Sequence, residues 1–205
     1  MNIDQYFTTE KENAFLGLFK VYVQREGWQD LLQQVETRTD FFTAPASTRH
    51  HGAYEEGLLD HSLHVCYRLH DLRRTLANQH IVLSEESCTI CALLHDICKA
   101  NQYHKEKKWQ KNDVGQWEEK MMYVFKDDMP LGHGEKSVMM ILPYMRLTAE
   151  EQLAIRWHMG RFDTAADSYN GLQTLGAAQR AYPLVTALHL ADMMATWFDE
   201  TEYDG

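Results

Sequence analysis

The stretch that most constrains the fold is an apolar run that ends in a histidine and an aspartate side by side. From Cys91 to Lys99, leucine and isoleucine recur at helical spacing, which predicts a largely buried helix with His95 and Asp96 close to the core. A carboxylate buried without a partner is strongly unfavourable, and a divalent cation is a partner that both side chains can bind. Taken alone, the pair is better explained as a helix-terminal histidine beside a solvated aspartate, so its interpretation depends on the other helices.

Length and composition are those of one globular domain. The chain has 205 residues, of which 44% are hydrophobic and 11% aromatic, enough for a sizeable core. The net charge of −10 argues against extended nucleic acid or an anionic membrane as the main partner, although local basic groups can hold one phosphate. Without a signal pattern or a long apolar run, we expect a cytoplasmic protein with no membrane partner. The four cysteines lie in apolar helical contexts and are expected to be buried free thiols.

The periodicity predicts an all-α protein with one exception. Helical stripes in residues 1–45 are expected to cap a helical core in residues 46–199, which carries the candidate ligands. Two short aromatic runs, residues 108–112 and 116–125, flank an Asp-x-Gly turn and predict one β-hairpin. The predicted architecture is a single helical bundle over residues 1–205 with a small hairpin excursion.

Four more polar residues fall on inward, otherwise apolar helical faces. His61 lies on such a stripe, although a core histidine bonded to a backbone carbonyl explains this position alone equally well. His133 begins a helix between two glycines, and His158 ends the inward stripe of a helix that opens with a capping box. Asp192 interrupts the apolar face of the last helix, where a carboxylate costs stability unless it is paired, as with Asp96.

Two further residues share faces with these candidates. Lys99 follows the His-Asp pair at helical spacing, and is either a cation for substrate phosphate or a solvated lysine at a helix C-terminus. His64 lies one turn after His61 on a neighbouring face, where it could touch a substrate. His70 is assigned to the polar surface.

The order of these residues resembles that of the HD superfamily of metal-dependent phosphohydrolases. Its pattern of a histidine, a His-Asp pair and a late aspartate is met by His61, His95 with Asp96, and Asp192. The resemblance extends over residues 46–195, nearly the whole chain.

Two finer features narrow the resemblance. His133 and His158 match the two histidines that HD proteins with a dinuclear metal centre add before the last aspartate. The Gly-Leu-Leu-x-His-Ser-Leu-x-Val and His-Asp-x-x-Lys contexts look like those of the HD domain in bacterial 3'-5' exoribonucleases, except that Cys98 replaces the usual glycine. The acidic balance does not suit a processive nuclease.

The resemblance implies an all-α HD-domain bundle with six metal ligands. Asp96 would bridge two divalent ions, while the remaining ligands are His61, His95 and Asp192 for the first ion and His133 and His158 for the second. Two such ions about 3.5 to 4 Å apart can lower the pKa of a bound water towards about 7. A nitrogen-rich set suits Mn, Fe, Co, Ni or Zn.

Basic residues near these positions are the candidate substrate contacts. Lys99, Lys136, Arg49 and Arg161 would neutralise a phosphate, and His64 would protonate the leaving group. Together with the bridging aspartate, Lys99 and His64 are the expected catalytic residues.

The resulting functional hypothesis is hydrolysis of a phosphoester in a small nucleotide or short oligonucleotide by a metal-activated water. One alternative is a di-iron oxygenase, since some HD-fold oxygenases use the same six ligands. Another is a non-catalytic sensor of a nucleotide or a metal. The pattern does not indicate an oligomeric state.

Overall fold

The computed structural model describes residues 10–48, 52–112 and 114–201, which contain eight α-helices and one two-stranded sheet. The helices are α1 (Lys11–Tyr22), α2 (Trp28–Arg38), α3 (Gly57–Ala77), α4 (Glu85–Leu94), α5 (His133–Ile141), α6 (Ala149–Arg156), α7 (Tyr169–Ala181) and α8 (Pro183–Met194). This architecture confirms the predicted all-α class with a hairpin excursion.

Local sequence signals set several helix starts. At α4, the Ser84 side chain accepts a hydrogen bond from the Ser87 amide, which satisfies one of the unpaired donors of the first turn. At α6, the Thr148 hydroxyl accepts from the Glu151 amide while the Glu151 carboxylate accepts from the Thr148 amide, the predicted capping box. Pro183 occupies the first turn of α8, where its missing N–H costs nothing.

The core is built on α3 and α4. Helix α3 packs against α4 and α8, α8 packs against α6, and α6 packs against α5. Helix α1 covers α3 and α4 and buries Phe15 and Phe19 completely. The four cysteines are buried free thiols, as predicted. Across residues 10–48, 52–112 and 114–201, no helix is both long enough and apolar enough to span a membrane.

Two of the helices end earlier than their hydrophobic pattern predicts, one or two residues before a histidine. Helix α4 ends at Leu94 and is followed by a 3-10 turn over Ile97–Lys99, and α6 ends at Arg156. His95 Nδ1 lies 2.9 Å from the carbonyl of Ala92, and His158 Nδ1 lies 2.7 Å from the carbonyl of Ile155. Each imidazole therefore contacts a carbonyl in the last turn of its helix.

The hairpin is longer than its sequence signal. Strand β1 (Tyr103–Lys111) pairs antiparallel with β2 (Trp117–Phe125), and the turn between them contains Gly115 at φ +80°, as the Asp-x-Gly signal predicts. The first half of β1 escaped the prediction because the residues after Tyr103 are exposed and polar on both faces, so no alternation marks them.

His70 corrects a smaller expectation. It was assigned to the surface but is only 3% exposed, because its position on α3 faces Thr89 of α4 and Tyr22 of α1.

Candidate metal centre

Five of the six predicted ligands meet at the middle of the bundle. Helix α3 contributes His61, the end of α4 His95 and Asp96, the turn after α6 His158, and α8 Asp192. The ligand atoms of the first three lie within 4.8 Å of one another, and so do those of His95, His158 and Asp192. All are buried except Asp192, whose side chain is 14% exposed. Residues separated by up to 131 positions are thus brought to one point.

The three imidazoles point the same nitrogen into this cluster. The Nδ1 atoms of His95 and His158 face the backbone carbonyls at the ends of α4 and α6, and Nδ1 of His61 lies 3.0 Å from Glu200 Oε1. A neutral imidazole has one N–H, so an Nδ1 that donates leaves the lone pair of Nε2 directed at the centre. Metal-binding histidines are held in this way, with the outer nitrogen donating to a carbonyl or carboxylate.

The geometry at the centre requires positive charge. His61 Nε2 and His95 Nε2 are 3.3 Å apart, a separation at which two lone pairs need a proton or a cation between them. Buried Asp96 Oδ1 and His158 Nε2 face each other at 3.4 Å, and neither has a hydrogen-bond partner among the described residues. A divalent cation would satisfy both atoms, so the donor set fits a metal.

Ionisation follows from the same contacts. Burial opposes ionisation of Asp96, but the Lys99 ammonium, 2.6 Å from Oδ2, and His95 outweigh it and hold the pKa of Asp96 well below its usual range. The pKa of Asp192 is also lowered, because its hydrogen bond with His61 outweighs burial. Burial lowers the pKa of His61, but Asp192 and Glu200 raise it to about 10. Without a metal, a proton on His61 balances these carboxylates.

A second subsite lies beside Asp96, where His133 begins α5. The ligand atoms of Asp96, Cys98 and His133 lie within 4.8 Å of one another, and Cys98 Sγ is 3.5 Å from His133 Nδ1. His133 is the most exposed of the six predicted ligands. A Cβ on the next residue, Gly134, would come within 2.2 Å of the carbonyl oxygen of Arg156, so glycine allows α5 to approach the end of α6.

A cavity of about 580 Å³ opens over the cluster. Its polar end includes Asp96, Lys99 and Asp192, and its apolar wall includes Phe162 and Trp197. This size and division of polarity suit a small organic molecule with one charged end.

The predicted substrate contacts divide into those that reach the cavity and those that do not. Lys99 lines it, whereas Lys136 pairs with Asp127 at 2.5 Å and is not among the described lining residues. Arg161 is exposed in the 3-10 turn Gly160–Phe162 and is not among the described lining residues either. Arg49 lies outside the described residues.

His64 has a contact that its helical position alone does not predict. Its Nδ1 lies 3.1 Å from Glu200 Oε1, the carboxylate that also contacts His61, and the described lining of the cavity does not include it. The geometry therefore places His64 beside a neighbour of the cluster.

Sequence reasoning missed Glu200 and His189. Glu200 follows the π-helical turn Ala195–Asp199, and Arg68 Nε holds the adjacent Asp199 Oδ2 at 2.8 Å, which fixes this segment against α3. No periodic signal marks Glu200. His189 lines the cavity, with Nδ1 2.6 Å from the carbonyl of His158, and its place one turn before Asp192 on α8 could have revealed it.

The fold and the cluster together place the chain in a class of helical proteins in which histidines and aspartates converge at the centre of the bundle. The HD domain family model matches residues 58–203, and the chain belongs to this family, whose members are generally metal-dependent hydrolases. The match confirms the predicted superfamily. No curated protein and no solved structure gives a significant match to the chain.

Proposed function

We propose that this protein is a phosphohydrolase that cleaves a phosphoester with a water activated by divalent metal. The observation that carries the proposal is the convergence of three Nε2 atoms and two carboxylates beside the Lys99 ammonium at the polar end of a cavity. Membership of the HD family supports the same reaction class. Metal ions held there would supply a hydroxide nucleophile and polarise the phosphoryl oxygen.

Asp96 is suited to bridge two ions. Its Oδ2 faces His61 Nε2 at 3.7 Å and His95 Nε2 at 3.5 Å, whereas Oδ1 faces His158 Nε2 at 3.4 Å. We therefore assign His61, His95 and Asp192 to one ion and His158 with His133 to the other. The nitrogen-rich set favours Mn, Fe, Co, Ni or Zn over Mg alone.

Lys99 is the residue that we assign to the phosphoryl group. Its side chain is 12% exposed, lines the cavity and lies against the carboxylate that would bridge the ions. Burial lowers the pKa of Lys99, but the Asp96 carboxylate outweighs burial and raises it, so the ammonium stays charged. A fixed ammonium at this place stabilises the negative charge of the transition state.

The apolar wall is suited to the organic part of the substrate. The exposed rings of Phe162 and Trp197 and the partly buried ring of Tyr103 border the cavity. Such aromatic surfaces bind a nucleobase by stacking, which favours a nucleotide over a simple sugar phosphate.

Metal reconstitution with a phosphoester panel tests the proposal. Metal-free protein is loaded with Mn, Fe(II), Co, Ni or Zn, its metal content is measured, and phosphate release is followed on mononucleotides and short oligonucleotides. Metal-dependent hydrolysis that is absent in Asp96→Ala supports the assignment. Oxygen consumption by an iron-loaded form without phosphate release would instead identify an oxygenase, and tight nucleotide binding without turnover would identify a sensor.

The number of ions has its own test. His133→Ala or His158→Ala should lower the metal content from about two per chain to about one. A wild-type protein with one firmly bound ion that neither substitution disturbs would leave these histidines as substrate contacts.

A further inference from the structure

The hairpin presents one face that mixes aromatic rings and lysines. Because side chains alternate along a strand, every second residue and its cross-strand partner share a face. We name this the aromatic–lysine face; its residues are Tyr103, Lys105, Lys107, Trp109 and Lys111 on β1 and Trp117, Glu119, Met121, Tyr123 and Phe125 on β2.

The two tryptophan rings of this face are largely exposed to solvent and are not part of the hydrophobic core. Trp109 is 67% and Trp117 64% exposed, and the register makes them diagonal neighbours. Contiguous exposed apolar surface of this kind marks interaction sites in monomeric proteins. The opposite face carries no tryptophan; its residues are His104, Glu106, Lys108 and Gln110 with Glu118, Lys120, Met122 and Val124.

The charge of the aromatic–lysine face opposes that of the whole chain. It holds three lysines and one glutamate, in a protein of net charge −10. Lys105 Nζ lies 5.5 Å from the ring centroid of Tyr123, and Lys111 Nζ lies 5.6 Å from that of Trp117. Lys105 pairs with Glu55 and Lys107 pairs with Glu119, but both pairs are exposed, so a phosphate can compete for either lysine.

The face continues into the cavity over the metal centre. Tyr103 is its first residue and also lines that cavity, and its hydroxyl lies 3.4 Å from the carbonyl of Ala46, another lining residue. Phe125 extends the aromatic surface from there, with its ring centroid 5.8 Å from that of Tyr103. A linear ligand with one end in the cavity would therefore lie along the strands.

We propose that the aromatic–lysine face binds a short single-stranded oligonucleotide whose scissile phosphoester lies in the cavity. Stacking bases and separated phosphates match a surface that alternates rings and ammonium groups, and a duplex would hide its bases from the rings. Nine residues of strand extend about 30 Å, enough for several nucleotides. The cleavage step rests on the proposed phosphohydrolase function, whereas the binding step does not.

Binding is tested apart from cleavage. Fluorescently labelled eight-nucleotide DNA and RNA strands, and the matching duplex, are titrated with metal-free protein in EDTA, and anisotropy reports the affinity. We expect the single strands to bind more tightly than the duplex or a mononucleotide. Comparable affinity for DNA and RNA is expected, because the rings and ammonium groups of this face contact bases and phosphates that both share.

A matched pair of double variants distinguishes binding by this face from general attraction to the positive charge of the hairpin. Lys107→Ala/Lys111→Ala removes two charges from the aromatic–lysine face, and Lys108→Ala/Lys120→Ala removes two from the opposite face. The first should weaken binding and reduce the salt slope by about 0.7 per lysine, and the second should change both much less. Trp109→Ala/Trp117→Ala should weaken binding on the order of tenfold or more.

Three results would overturn the proposal. The first is that the two lysine double variants have equal effects on binding, and the second is that single strands bind no better than a mononucleotide. The third is that the wild-type protein is a dimer that Trp109→Ala/Trp117→Ala converts to a monomer without affecting oligonucleotide binding. Circular dichroism and the midpoint of thermal unfolding show that each variant is folded. If the chain binds the strands through this face but hydrolyses no phosphoester, the binding inference stands and the proposed hydrolase function fails.

Discussion

Helix α3 carries two buried histidines, nine residues apart, in contrasting surroundings. His70 Nε2 lies 2.9 Å from the Thr89 hydroxyl, which donates its own proton to the carbonyl of Glu85, so this Nε2 must be a donor. His61 instead uses Nδ1 on Glu200 and turns Nε2 towards acidic side chains. The direction of the second nitrogen, and not burial, therefore distinguishes a candidate ligand from a core histidine.

The two sites also differ in charge. Burial, with smaller contributions from Arg73 and Arg74, lowers the pKa of His70 to about 4, so it stays neutral in the core. The carboxylates around His61 outweigh burial there and raise its pKa to about 10. A cluster that attracts a proton so strongly in the absence of metal is one that a divalent cation can occupy.

The largest expected effect is loss of metal in Asp96→Ala. A four-ligand zinc site binds with about 10 to 16 kcal/mol, or roughly 2.5 to 4 kcal/mol per ligand, and the bridging assignment makes Asp96 a ligand of both ions. Elemental analysis after dialysis should find little metal. His70→Ala is the control, because it removes a buried imidazole outside the cluster. Full metal content in Asp96→Ala, or metal loss in His70→Ala, would break the comparison.

The next effect concerns Lys99, with Lys136 as its counterpart. Both lysine side chains are 12% exposed and pair with an aspartate, but the described lining of the cavity includes only Lys99. Lys99→Ala should keep the metal and lower kcat/KM, with a loss of transition-state stabilisation of about 2 to 4 kcal/mol. Lys136→Ala should change kcat/KM little. Lys99→Arg should restore only part of the loss, because a planar guanidinium does not replace a compact ammonium.

The kinetic comparison of the two lysines can also fail in an informative way. Equal losses in both alanine variants would return Lys136 to the phosphate-binding set that its sequence position suggested. Unchanged kinetics in Lys99→Ala would remove the main reason to prefer a phosphate ester.

His70 predicts an acid-side loss of stability. Its folded pKa of about 4 lies below the unfolded value of 6.5, so between these values only the unfolded chain binds the proton. The contribution of His70 to the free energy of unfolding is therefore present above pH 6.5 and is lost as the pH falls through 4. The expected loss is about 2 to 3 kcal/mol. Urea unfolding of metal-free protein from pH 7 to 4 measures it, and His70→Leu should have the flatter profile. Parallel profiles would contradict a neutral buried His70.

The smallest effect is that of Glu200, which positions His61. Glu200→Gln keeps a hydrogen-bond acceptor for His61 Nδ1 but removes the charge, and should weaken metal affinity about 10- to 100-fold. Competition with a chelator measures this affinity. Glu86→Gln makes the same change on a partly buried carboxylate that pairs with Arg25, and should leave metal affinity unchanged. Identical affinities in the two variants would remove Glu200 from the support of the centre.

The sequence by itself determined the helical class, the hairpin and the family. These predictions rest on signals that act over a few residues and can be recognised without knowing the fold: the helical and strand periodicities, the capping box at Thr148 and the Asp-x-Gly turn. The same locality made Asp192 conspicuous, because a carboxylate on an apolar helical stripe needs an explanation wherever the helix lies.

Only the tertiary structure decided what each polar residue contacts. His61 and His70 occupy one helix, yet they differ in their partners. His70 contacts Thr89 on α4, whereas His61 contacts Glu200, which is 139 residues away along the chain. Lys99 and Lys136 were both predicted to contact phosphate, and the structure shows that Lys136 instead pairs with Asp127. Such contacts have no local signature, because the partner of a buried imidazole or ammonium is set by packing between distant elements and not by the spacing of its neighbours.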